Sequence, residues 1–218
     1  MTKHILLTRP LHDIPTSYLH CISGELKKEI ESVGEHKVID LQKEDAVRKK
    51  FEKALDKINP RLVVLHGHGS YDSVIGQNEV ILDKNNVCKL KSKIVYAVVC
   101  DAALDLGESA IKNGNAEAFI GYDSEFVIIV DPQKSAIPMK DKNFRPFKDV
   151  HKMLVLSLVS GCTVSTSLDR TKTHMRKLIR EYGVRGIKDK YGDAPLIRFG
   201  LFWNLLCLKK HGNGDAVF

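Results

Sequence analysis

Three short apolar runs in this 218-residue sequence each end on residues that can do chemistry. Leu62–Leu65 runs into His66-Gly67-His68-Gly69, Ile94–Val99 into Cys100-Asp101, and Ala116–Ile120 into Gly121-Tyr122-Asp123. A thiol is nucleophilic as its thiolate, and an imidazole carries protons near neutral pH. With backbone N–H groups aimed at a developing oxyanion, these two suffice for acyl transfer. Cys100 is the candidate nucleophile and His68 the candidate proton carrier. The N–H groups of Gly69 and Cys100 are the candidate oxyanion donors, and a glycine at 69 lets the backbone come close to a substrate carbonyl. Asp101 beside the thiol disfavours the thiolate unless its side chain caps the helix that follows. No third partner for His68 stands out.

The same residues support other chemistry. His66 and His68 are two apart, so on one strand they share a face, and with Cys88 or Cys100 they can ligate a metal. No cluster of Asp, Glu and His accompanies them. His151, His174 and His211 read as surface or capping residues. Cys21, Cys162, Cys207 and Trp203 lie in apolar helical contexts and read as packing residues. GHGSYDS is too short for a phosphate-binding loop, and no Gly-Lys-Ser/Thr follows it.

The elements that must position these groups follow from periodicity. Short apolar runs at His4–Thr8, Lys37–Leu41 and Arg61–Leu65 read as strands. Between the first two, Leu19, Ile22, Leu26, Ile30 and Val33 recur at helical spacing, with Thr16 the expected N-cap and Gly34 the stop. Val47, Phe51, Leu55 and Ile58 mark a second helix that ends at Asn59-Pro60. This β-α-β-α-β order predicts a mostly parallel sheet flanked by helices, with ligands received beyond the carboxyl ends of its strands. Glu79–Leu82 reads as an edge strand, Asp83–Asn86 as a turn, Leu104–Asn113 as a helix, and Val127–Val130 as a further strand. From Lys148 on the pattern is helical throughout. Val150–Val159 is apolar nearly all round, and a last helix is capped by Asp193 and ends before Gly212. The expected organisation is an α/β core over residues 1–146, with a helical segment over 147–218 packed on it as part of the same domain.

Composition narrows the function classes. The net charge of +7 is spread along Lys-rich helices and not gathered in a patch; with no aromatic-basic ribbon or nucleic-acid motif, a nucleic-acid partner is not expected. Five cysteines at irregular spacing, with no CxxC, indicate neither a disulfide framework nor a structural zinc site, and suit a reducing cytoplasm. No apolar run is long enough for a membrane span, and the first residues do not read as a signal peptide.

A Gly-His-Gly triplet after one apolar strand, followed by a cysteine after the next, resembles the caspase-like cysteine peptidases, over roughly Ile5 to Ile129. That superfamily includes caspases, gingipains, clostripain, separase and the bacterial CHAT proteins, and the likeness is greatest to small CHAT- or gingipain-like members. The resemblance implies a three-layer caspase-like fold and a His68/Cys100 dyad. It also implies an endopeptidase that needs no cofactor and acts on a protein or peptide; it leaves room for a regulatory partner protein or a homodimer without requiring either. Tyr122 matches the aromatic residue that forms a wall of the specificity pocket. The caspase QACxG context is absent, since Cys100 is followed by Asp-Ala-Ala, and so is a processing linker. Specificity for Asp is therefore not implied. Asp72, Asp101, Asp123 or Glu125 can instead line an acidic pocket for a basic residue. A catalytically silent peptide- or partner-binding module of the same fold is the alternative, and a metal-dependent hydrolase using His66 and His68 is the second.

Overall fold

Strands with no polar face belong in the middle of a sheet covered on both sides, and this determines the layout. The computed structural model describes residues 3–32, 34–188 and 192–218. Strands β3 (Leu62–His66), β7 (Ile94–Val98) and β8 (Ala118–Tyr122) are buried at every residue. With β1 (Lys3–Arg9) and β2 (His36–Gln42) they form five parallel strands of a six-stranded sheet, completed by β9 (Leu208–Gly212) and ordered β2-β1-β3-β7-β8-β9. A small antiparallel sheet of β4 (His68–Gly69), β5 (Ser73–Ile75) and β6 (Val80–Asp83) sits beside it.

Alternate strand residues serve opposite faces. Ile5, Leu7, Leu62, Val64 and Ile94 pack with helices α1 (Ile14–Ser32), α4 (Arg145–Val159), α5 (Val164–Lys188) and α6 (Ala194–Cys207). Leu6, Val63, Leu65 and Val95 pack with α2 (Arg48–Ile58), α3 (Asp105–Lys112) and the small sheet. The result is the three-layer α/β arrangement expected. Helix α2 stops where Asn59 turns left-handed at φ 51°, a conformation asparagine tolerates, and Pro60 prevents continuation.

Several expectations are corrected. The N-cap of α1 is Asp13, not Thr16. The Asp13 carboxylate accepts from Thr16 N at 2.9 Å, and the Thr16 hydroxyl accepts from Asp13 N at 3.0 Å, a reciprocal cap one turn earlier. Val33 lies outside the described residues. Asp193 does stand at the N-cap of α6, its carbonyl accepting from Ile197 N at 2.9 Å, but its side chain makes no capping bond; the carboxylate accepts from Asn143 Nδ2 at 2.6 Å instead. Residues 127–130 form no strand. Asn204 on α6 takes both backbone groups of Val127, accepting from its N–H at 2.9 Å and donating to its carbonyl at 2.7 Å. The last helix ends at Cys207, and Leu208–Gly212 turns back as β9, antiparallel to β8. The tail after residue 147 thus supplies a strand of the central sheet as well as helices.

Candidate active site

The register of β3 and β7 aligns the two candidate groups. His66 pairs with Val98, so His68 and Cys100 each lie two residues beyond the same rung. Gly67, at φ +146°, leads the chain out of β3 into β4, and a Cβ there would overlap the Ile75 carbonyl. Gly69 lies flat against Cys100: a Cβ on it would overlap the Cys100 carbonyl oxygen and the Val99 side chain. The sequence assigned Gly69 to substrate approach. In the structure the neighbour that needs a glycine is the backbone of Cys100, which brings the His68 strand against the Cys100 turn.

His68 is held from a third element. Its Nε2 lies 2.6 Å from Asp13 Oδ2, while Asp13 Oδ1 accepts from Thr16 N at 2.9 Å and from the Thr16 hydroxyl at 2.6 Å. The helix cap therefore fixes one carboxylate oxygen and points the other at the imidazole. A carboxylate only accepts, so the proton sits on Nε2 and Nδ1 is left as the basic nitrogen. Partial burial pulls the Asp13 carboxyl up, but the hydrogen bonds from Thr16 and His68 outweigh it and the group lies below its ordinary value. His12 stands beside the pair, its Nε2 3.8 Å from Asp13 Oδ2. Asp13 is the partner of His68 that sequence reasoning missed. The signal was there in Asp-x-x-Thr before a helical pattern, but the cap was assigned to Thr16.

Cys100 is half-buried. Its Sγ accepts a hydrogen bond from Phe126 N at 3.4 Å, and among the described residues none joins it to His68. Burial pushes the thiol above its ordinary value; the Phe126 N–H opposes this, and the charges of Asp101 and Glu125 add to the rise. Asp101 adopts the left-handed region at φ 58°, with its N–H bonded to Ser124 O at 3.1 Å and its carbonyl accepting from Leu104 N at 3.0 Å. That turn tethers Cys100 to the end of β8. The resting thiol is therefore neutral, and an imidazole base is needed to activate it.

The remaining candidates divide. Tyr122 does not line an open pocket: it is 1% exposed, its hydroxyl lies 3.4 Å from that of Tyr96, and its ring packs on Phe126. Placing it at the pocket wall was an error of side, because the residue facing inward from β8 goes to the core. Asp123 is partly exposed and ion-paired with Lys209 at 3.3 Å. Asp72 stays within the β4–β5 turn, accepting from the Ser70 hydroxyl at 2.8 Å. Asp101 and Glu125 are the carboxylates whose charge reaches the thiol.

A shared His66–His68 metal site is ruled out by the change of sheet between them. His66 is wholly buried, with its Nδ1 donating to Thr8 O at 2.7 Å and its Nε2 3.3 Å from His151 Nε2. Burial lowers its pKa to about 4, against the opposing bond to Thr8. His151, expected at the surface, is 3% exposed and faces it. Among the described residues, the group with metal-ligand spacing is His12, Asp13 and His68.

No family model matches this chain, and no curated protein matches it in sequence. Among solved structures it matches the Arg-specific cysteine proteinase gingipain R with a TM-score of 0.59 over 98% of its length, at 15% identity. The chain spans about half of that protein, 47% of its length. The architecture is thus a caspase-like fold, with a mostly parallel central sheet between helical layers.

Proposed function

We propose that this chain is a cysteine endopeptidase working through Cys100, His68 and Asp13. The observation that carries the reading is the placement of a thiol and a carboxylate-anchored imidazole at equal height on adjoining strands, β7 and β3 with its β4 extension. In the first step Cys100 Sγ bonds to the scissile carbonyl carbon while the thiol proton passes to His68 Nδ1. Asp13 holds Nε2–H and stabilises the imidazolium. The N–H groups of Gly69 and Cys100 are the donors proposed for the oxyanion. The tetrahedral intermediate collapses by breaking the C–N bond, and the leaving amine takes the proton from His68. Water, deprotonated by His68, then cleaves the thioester and returns the proton to sulfur. The chemistry requires no cofactor.

The carboxylates of Asp101 and Glu125 by the nucleophile favour a cationic side chain in the substrate, so we assign a preference for Arg or Lys. The matched structure is described as Arg-specific, which supports this choice. Within the superfamily, the small CHAT- or gingipain-like group fits the Gly67-His68-Gly69 and Cys100 contexts. All five cysteines are free, which fits a reducing compartment, and among the described residues no helix is long and apolar enough to cross a membrane.

A silent binding module is the second reading. It is favoured by the raised thiol pKa and by the Phe126 N–H that occupies Sγ. Labelling by a peptidyl acyloxymethyl ketone with Arg at its end separates the two. Stoichiometric labelling of the wild type, lost in Cys100→Ala and in His68→Ala, is the expected result. No labelling of a folded wild-type protein leaves the binding module, and faster turnover of Asp-ending than Arg-ending fluorogenic peptides removes the basic specificity.

A further inference from the structure

His12, Asp13 and His68 each offer a ligand atom, and these three atoms lie within 4.8 Å of one another. Asp13 Oδ2 lies 2.6 Å from His68 Nε2 and 3.8 Å from His12 Nε2, and the two imidazole rings are 5.4 Å apart. The side chains are 25%, 36% and 41% exposed for His12, Asp13 and His68, so a hydrated ion reaches them without any opening of the fold. Two imidazoles and a carboxylate form a donor set suited to Zn²⁺, with a fourth position left for water. Hard cations such as Ca²⁺ and Mg²⁺ prefer all-oxygen surroundings and fit poorly. Bonds of about 2.0–2.1 Å around a tetrahedral ion require the Asp13 and His68 donors to separate by several tenths of an ångström. Both are partly exposed, and Asp13 keeps its other oxygen on the helix cap while it moves.

We propose that this trio is a Zn²⁺ site that switches the peptidase off. The effect on rate rests on the cysteine-peptidase reading, whereas the binding does not. The inhibition follows from the tautomer. In the metal-free site the Nε2 proton bonds to Asp13 and the lone pair is on Nδ1. Zn²⁺ binds through the Nε2 lone pair, so the neutral ring must carry its proton on Nδ1. The nitrogen that should accept the thiol proton then becomes a donor, and Asp13 is spent on the metal. Cys100 need not touch the ion to be silenced. His12 has no part in the proposed reaction and serves only the metal.

Calorimetric titration of ZnCl₂ into the full-length Cys100→Ala protein tests binding without the thiol or any activity. One site is expected, weakened more than about 100-fold in Cys100→Ala/His12→Ala, beyond the loss outer-shell changes cause. CaCl₂ should give no such site. Co²⁺ in place of Zn²⁺ should give the intense visible absorption of a tetrahedral centre in the first protein and not in the second. For the active chain, Zn²⁺ should abolish hydrolysis of an Arg-ending fluorogenic peptide and a chelator should restore it. His12→Ala should need correspondingly more Zn²⁺, each protein being compared with its own metal-free rate. Equal binding with and without His12, or no binding, overturns the site. Binding that depends on His12 but leaves the rate unchanged or raises it overturns the switch. Absence of peptidase activity in metal-free protein counts against the peptidase reading and leaves the calorimetric result standing.

Discussion

A carboxylate that caps a helix has an oxygen to spare, and in Asp13 that oxygen meets His68. In the proposed mechanism the residue therefore has a structural and a catalytic task, which a single substitution can separate. Asparagine caps helices as well as aspartate does, so Asp13→Asn should keep the bond to Thr16 N and leave the melting temperature within a few degrees. It loses the charge that fixes the Nε2–H tautomer and stabilises the imidazolium. A drop in kcat of about 100-fold or more is expected, within the range general acid–base groups contribute, with KM little changed. A merely structural Asp13 gives the opposite pattern, a lower melting temperature with kcat intact. At this scale the nucleophile and base candidates could be named from the chain because each ends an apolar run. Their orienting partner could not. Asp13 lies 55 residues before His68 in sequence, and only the parallel pairing of β1 with β3, which sets the loop before α1 beside the end of β3, brings the two together. Tyr122 failed for a related reason: a period of two tells which residues share a face of β8, but not which face is open.

Elements were legible where burial is two-sided and hidden where pairing is with a side chain. The runs at β3, β7 and β8 have few polar residues, so their strand character survives any choice of neighbours. β9 reads Leu208-Lys209-Lys210-His211-Gly212, a charged edge continuing directly from a helix, and its only claim to be a strand is the free edge of β8. Segment 127–130 had the apolar pattern of a strand, but its backbone finds the Asn204 amide and not a ladder. Asn204 is 2% exposed and saturates both backbone groups of Val127, next to the Phe126 N–H that reaches Cys100 Sγ. Asn204→Ala leaves that pair unsatisfied, which should cost about 1–3 kcal/mol and lower the melting temperature by several degrees. It should also free Phe126 and speed alkylation of Cys100 by iodoacetamide. Leu206→Ala, at an exposed position on the same helix, should do neither. If Asn204→Ala alkylates at the wild-type rate, the segment does not restrain the thiol.

Over the whole molecule, the sheet and the helical layer above it are joined at a polar point inside an apolar cluster. His66 on β3 meets His151 on α4 with Nε2 atoms 3.3 Å apart, and the His151 ring stacks on Tyr96 of β7 at 5.6 Å. Burial, then the facing His66 and the nearby Lys152, hold His151 well below its ordinary pKa; burial, Arg9 and His20 lower His66 against the opposing Thr8 bond. Both rings are therefore neutral in the folded protein, whereas in the unfolded chain they take up protons as the pH falls through about 6.5. Below that value the unfolded state binds more protons, so stability must decline with falling pH, each ring contributing up to about 1.4 kcal/mol per pH unit. For His66 the decline continues until its folded pKa of about 4. Urea unfolding between pH 7 and 5 stays above the range where most carboxylates titrate, and comparison with a variant separates His151 from the other histidines of the chain. Among the described residues the buried His151 Nδ1 has no partner, so His151→Phe removes an unsatisfied group while keeping a ring against Tyr96. The variant should lose stability less steeply than the wild type over this interval, its slope smaller by up to one proton. Parallel slopes for the two proteins would mean that His151 is already charged in the folded state, or reaches solvent, and the two layers are not joined as described.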